Sequence, residues 1–229
     1  MAEQNLDDLG GVHSPEKIKV ERFSEEQREA LQKEGYSFFT LRGLSMKDFV
    51  NEGKKILGYE DGDIERSIPA LAAYPSMMSE VAIKLGNLYL PRSNMCSLED
   101  KTEMVRRFSE EYLNKIIPGV KAIIGQIPDY LDIGFQHFDA TEGKDPLFTR
   151  ENDSGYTVAN VPFFPLDEPE GHVGFSSLYK SFVVILDEAD HFPFKEDLWA
   201  CPLVVPASLK LDQSPFEAYE AHRTARLAG

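Results

Sequence analysis

A chain of 229 residues with 42% hydrophobic and 11% aromatic residues can bury a sizeable core, which excludes wholesale disorder. Its formal net charge of −15 repels phosphate backbones and anionic lipid, so direct nucleic-acid binding and membrane association are not expected; it fits a soluble cytosolic protein first, and after that a divalent-cation binder or a nucleic-acid mimic that docks on basic partners. Cys96 and Cys201 are the only cysteines, too few for a disulfide framework, and point to a reducing, cytoplasmic compartment.

Residues 1–20 are polar, carry Gly10, Gly11 and Pro15, and read as a flexible arm without the apolar core of a signal peptide. Ser24 and Gln27 have capping-box spacing and predict a helix that Gly35 stops. Tyr36 to Leu41, aromatic and β-branched, predicts a strand, and Ser45 with Asp48 opens a second helix through about Ile56. Asp61-Gly62-Asp63 looks like a fragment of a calcium loop but lacks the remaining ligand spacing, so it reads as a turn. Pro69, Pro75 and Pro91 break the next stretch, leaving Glu80–Ile83 and Leu88–Leu90 as short strands. Ser97 caps a long helix from Leu98 to about Ile117, with Met104, Val105, Phe108, Tyr112 and Ile116 on its expected inner stripe. Val120–Ile124 predicts a buried strand, and Pro128 opens a helix to about Phe138. Residues 151–197 hold ten acids and two basic residues, with strands expected at Thr157–Val161 and Phe182–Leu186. Cys201–Val205 is flanked by Pro202 and Pro206 and reads as an edge strand or extended segment. Ser214-Pro215-Phe216-Glu217 starts a terminal helix, which at this length must dock on its own domain or on a neighbouring chain. The sum is a single α+β domain over residues 21–212, helices packed on a mixed or mostly antiparallel sheet, with a C-terminal helix at 213–229.

Leu88-Tyr-Leu-Pro-Arg-Ser-Asn94, Glu103-Met-Val105 with Phe108-Ser109, Phe138-Asp-Ala-Thr141 and Pro202-Leu-Val-Val-Pro206 together resemble segments of uncharacterised bacterial proteins with no assigned activity. The resemblance covers roughly residues 79–206. It implies a bacterial-type cytosolic protein and carries no activity, cofactor or site residue with it.

Four constellations could carry chemistry. Val183 to His191 contains Asp-Glu-Ala-Asp at 187–190, the tetrapeptide of the DEAD-box helicases, but ATP chemistry also needs a Gly-rich loop ending in Lys and Ser or Thr. Glu52-Gly53-Lys54-Lys55, the nearest candidate, lacks the hydroxyl, so the tetrapeptide reads as coincidence. His137-Phe138-Asp139 followed by His191 or His172 matches the ligand order of non-haem Fe(II) oxygenases. Convergence requires His137 and Asp139 to share a face, which a strand provides and a helix does not, and the local pattern favours a helix. The acids Asp187, Glu188 and Asp190 with His191 could hold a divalent metal at a strand end; Asp139, Asp167 and Glu168 would have to join them for hydrolysis. Cys201 could act as a nucleophile only if His191 approached it in space, and a buried core cysteine is the plainer reading.

The aromatics from Phe163 to Trp199 are dense enough to be core, or, where exposed, a partner surface; Trp199, Phe216 and Tyr219 are the partner-facing candidates. Two function classes follow. The preferred one is a non-catalytic, acidic binding or assembly protein, with a protein partner or self-association. The other is a metal-dependent enzyme, oxygenase-like or a hydrolase, using His137, Asp139 and His172 or His191 with the acids at 187–190. The cofactor is open, a divalent metal being the candidate.

Overall fold

The computed structural model describes residues 20–58, 69–149, 156–159, 170–187 and 197–210. The expected N-terminal arm up to residue 19, the Asp61 turn and the terminal helix with Phe216 and Tyr219 lie outside those residues. In chain order the elements are α1 (Glu25–Lys33), β1 (Ser37–Thr40), α2 (Met46–Asn51), β2 (Ile56–Leu57), α3 (Pro69–Ala72) and β3 (Glu80–Ile83). A 3₁₀ turn (Leu85–Asn87) precedes α4 (Leu98–Arg107), which runs on through a π-helical segment (Phe108–Leu113) into α5 (Asn114–Ile116). Then come β4 (Val120–Ile123), α6 (Ile127–Ala140), β5 (Tyr156–Ala159), β6 (Glu170–Ser176), β7 (Ser181–Asp187), β8 (Leu198–Trp199) and β9 (Leu203–Pro206). The fold is α+β, with helices packed on two sheets rather than one.

The first sheet has the order β1-β3-β9-β4 and is antiparallel throughout; the second, β2-β7-β6-β5-β8, is mixed, with β2 parallel to β7 and β8 parallel to β5. Alternation along the first sheet explains its composition. Val81, Ile83, Leu203 and Val205 face a cluster that also holds Tyr130, Leu131 and Ile133 of α6 and Val173, Phe175, Phe182 and Val184 of the second sheet. Ala82 and Val204 face the other way, onto Leu31 of α1 and Leu98, Val105 and Leu113 of the long helix. A sheet buried on both faces reads as unbroken apolar runs, as Leu203–Pro206 does and as Val81–Ile83 does after Glu80.

Three local expectations are corrected. Leu203–Pro206 is an interior strand, not an edge: Val204 pairs with Ala82 on one side and Ala122 on the other. Its prolines sit before and at the end of the paired run, where the missing N–H is tolerated. The second helix stops at Asn51, and Ile56–Leu57 adds a short parallel strand beside β7. The stripe of the long helix is Leu98, Lys101, Val105, Ser109 and Leu113, while Tyr112 and Ile116 are 52% and 44% exposed. Ser109 follows Val105 at helical spacing, and its hydroxyl accepts the Ala122 N–H of β4 at 2.9 Å; the π-helical segment then changes the phase, bringing Leu113 inward and turning Tyr112 outward.

The capping expectations at α1 and α2 hold. Ser24 with Gln27 and Ser45 with Asp48 both form reciprocal capping boxes, and Ser97 accepts from Asp100 N–H. Among the described residues, no helix is long and apolar enough to cross a membrane.

Candidate functional site

Helix α6 carries two of the sequence candidates and separates them. His137 is directed to the Asp145 carboxylate, Nε2 to Oδ2 3.2 Å, with the Phe39 ring edge-on at 6.4 Å. Asp139 pairs instead with Lys54, Nζ to Oδ1 2.8 Å. Two residues apart on a helix point in divergent directions, so the two ligands do not converge. His172 is fully buried in β6, with Val158 and Ile185 as its cross-strand neighbours. Asp187 ends β7 opposite Glu170; Asp190 and His191 lie outside the described residues. Among the described residues no group of three or more His, Cys, Asp or Glu side chains could hold a metal ion. Cys201 is buried, and burial pushes its thiol well above the ordinary range, which disfavours the thiolate a nucleophile needs.

The partner-facing candidate Trp199 has a different fate. Its ring lies beside Tyr89, centroids 6.0 Å apart at 38°, and both line a groove of about 400 Å³. Leu85, Leu88, Pro91, Pro146, Leu147 and Phe148 supply the rest of the apolar wall, and Asp145, whose carboxylate meets His137, lines it too. The segment up to Pro91 also walls a second groove of about 320 Å³, which Tyr36, Phe108, Tyr112 and Pro202 line as well.

Backbone bonds hold this wall in place. Leu90 N–H donates to Ala200 O at 2.9 Å, and Ala200 N–H donates to the Ser93 hydroxyl at 2.9 Å, which in turn donates to Leu90 O at 2.8 Å. The segment 88–93 is thereby tied to the residue after Trp199. Leu88–Leu90, expected as a strand, instead forms this non-strand wall. Burial raises the Tyr89 phenol well above its ordinary range, with Cys201 and Tyr130 adding to the effect.

Phe148 occupies the left-handed region at φ 60°, an outlier for a bulky side chain, and such strain persists only where packing over-determines it. Its buried ring stands edge-on to Tyr130 at 5.7 Å, and its carbonyl accepts Phe175 N–H at 2.8 Å. With Glu142 and Gly143 also at positive φ, the loop that delivers Asp145 is built from three left-handed residues.

Sequence reasoning passed over Tyr89, Asp145 and Phe148. Asp145 carries no motif, and its contact with His137 depends on the turn after α6. It also passed over a pair of buried carboxylates at the start of α6. Asp129 accepts Met77 N–H at 2.7 Å and Gln126 N–H at 2.8 Å, while Asp132 accepts Arg42 N–H and Arg42 Nε, both at 2.8 Å. Burial, and secondarily the charge of Asp132, push Asp129 up to about 7, against the opposing pull of its two backbone donors. The spacing Asp129-x-x-Asp132 on one helical face was the available signal. No family model, no curated protein and no solved structure matches this chain.

Proposed function

We propose that the protein is a non-catalytic, acidic binding protein of the bacterial cytosol that holds a cationic group of a protein partner in the Tyr89–Trp199 groove. The observation that carries this reading is the presence of the Tyr89–Trp199 ring pair and the Asp145 carboxylate in the lining of one groove. A guanidinium or ammonium gains from an aromatic face and from a carboxylate at once, and tryptophan is the best of the aromatic partners. The net charge of −15 adds a long-range attraction for basic partners that weakens with salt. The adjacent Lys144 is engaged with Glu142 at 2.6 Å, and the Asp145 side chain, which meets His137 through Oδ2, is 64% exposed, which supports its reaching an incoming charge.

Trp199 is the only tryptophan, so its emission reports this groove alone. Titration with a short oligo-arginine peptide should shift that emission, a matched oligo-glutamate peptide should not, and Asp145→Asn should weaken the arginine response. An unchanged emission with oligo-arginine, or a response that Asp145→Asn leaves intact, sinks the reading. Metal analysis of the purified protein separates it from the metal-dependent alternative: stoichiometric iron or manganese lost in His137→Ala would favour an enzyme.

A further inference from the structure

We infer that the two grooves form one recognition surface for a proline-rich, basic segment of a partner protein, bound in the polyproline II conformation. This rests on the reading of the Trp199 groove as a cation site and names the rest of the partner. Asn87, Leu88, Tyr89 and Pro91 line both grooves, so the two are neighbours across a single shared wall. One side offers Tyr89 and Trp199, the other Phe108 and Tyr112 beside the largely buried Tyr36, and each side also carries a proline, Pro146 and Pro202. Tyr112 is 52% exposed and stacked on Phe108 at 5.7 Å and 26°, an aromatic pair that the π-helical turn presents to solvent.

Paired shallow compartments with aromatic walls suit an extended ligand whose bulky groups recur at short intervals. A polyproline II segment rises about 3.1 Å per residue and is already extended before it binds, so it can drop proline rings into successive aromatic slots at little entropic cost. Strand addition is disfavoured, because Leu90 N–H already donates to Ala200. Charge sets the chemistry of one end. Asp145 lines only the Trp199 groove, whereas the other groove has Lys84, whose ammonium lies 5.7 Å over the Tyr36 ring. A basic residue of the ligand therefore belongs at the Trp199 end, and its proline-rich part at the Tyr112 end.

The test uses the full chain and three short peptides: one with two Xaa-Pro pairs spaced by one polyproline II turn and a terminal arginine, the same peptide with every proline changed to alanine, and the same with arginine changed to glutamine. Affinity is read by calorimetry and groove occupancy by the Trp199 indole N–H resonance. The first peptide should bind, and loss of its prolines should weaken it about tenfold. Tyr112→Ala should weaken it about tenfold, as loss of an aromatic anchor does, with an unchanged melting temperature because the ring is half exposed. Asp145→Asn should lower affinity for the arginine peptide and leave the glutamine peptide unaffected.

If the proline and alanine peptides bind equally and Tyr112→Ala changes nothing, the two-groove surface is wrong while the cation site at Trp199 stands. If an amphipathic helical peptide binds better than the proline-rich one, or the chain associates with itself through Tyr112, the occupant has been misidentified. If the Trp199 resonance answers to none of the arginine peptides, both readings fail together.

Discussion

Asp129 has no exposed surface, yet its two oxygens accept backbone N–H groups from Gln126, on its own helix, and from Met77, a segment distant in sequence. Burial raises it from an ordinary carboxylate to about 7. The folded state therefore retains a proton on Asp129 between roughly pH 4 and pH 7 that the unfolded chain has released. Its contribution to stability is full below about pH 4, declines as pH rises through 7, and is flat above. Urea midpoints measured across this range should fall toward neutral pH with a slope of at most about 1.4 kcal/mol per pH unit from this group. Asp129→Asn removes the titration, so its stability should lie parallel to that of the wild type outside this window and converge on it within. A difference between the two proteins that is constant from pH 4 to pH 8 would show that Asp129 titrates normally. Asp132, held by Arg42 through both a backbone and a side-chain donor, makes a different prediction: Asp132→Ala removes both bonds from Arg42, which keeps Glu52 at 3.6 Å and contact with solvent, and should destabilise by about 1–3 kcal/mol at neutral pH, seen as a lower urea midpoint.

At the scale of the element, the long helix from Leu98 shows what a period can and cannot say. Its start was legible, because Ser97 is a strong cap and the first turn is acidic. Val105 falls inside as a 3.6-residue period requires. Beyond Ser109 the period fails, because the six residues from Phe108 wind as a π-helix and hand the core to Leu113 instead of Tyr112. Nothing in one sequence marks that change of pitch; the tie from Ser109 to Ala122 N–H is a long-range choice made by β4. Leu113→Ala should accordingly lower stability by about 2–5 kcal/mol, and Tyr112→Ala by less than about 0.5 kcal/mol, in chemical denaturation. The reverse order would restore the simple α-helical stripe. Helix α6 depends on a close approach in the same way. A Cβ on Gly134 would stand 2.5 Å from the Phe182 ring, so Gly134→Ala, which favours helix locally, should instead destabilise by about 1–3 kcal/mol.

At the scale of the molecule, α+β content was readable from the mixture of capped helices and short β-rich runs, but the division into two sheets was not. The pairings that create it are non-local: β9 returns late in the chain to lie between β3 and β4, and β2 runs parallel to β7. The candidate site suffered the same loss. Tyr89 and Trp199 are legible as aromatics, yet their pairing depends on Leu90 bonding to Ala200 across the fold. The two sheets are nevertheless one object in packing terms, because a single cluster joins Val81 and Leu203 of the first to Phe182 and Val184 of the second through Tyr130, Leu131 and Ile133 of α6. Removing either sheet would expose the apolar face of the other, so neither should persist alone. Trp199 reports on the second sheet only, while far-UV circular dichroism reports on all the helices and strands. The two signals should therefore fall together in urea, with one midpoint and one slope. A Trp199 transition that precedes the loss of circular dichroism would mean that the second sheet and its groove open as a separate unit, and that the shared cluster does not couple the two halves.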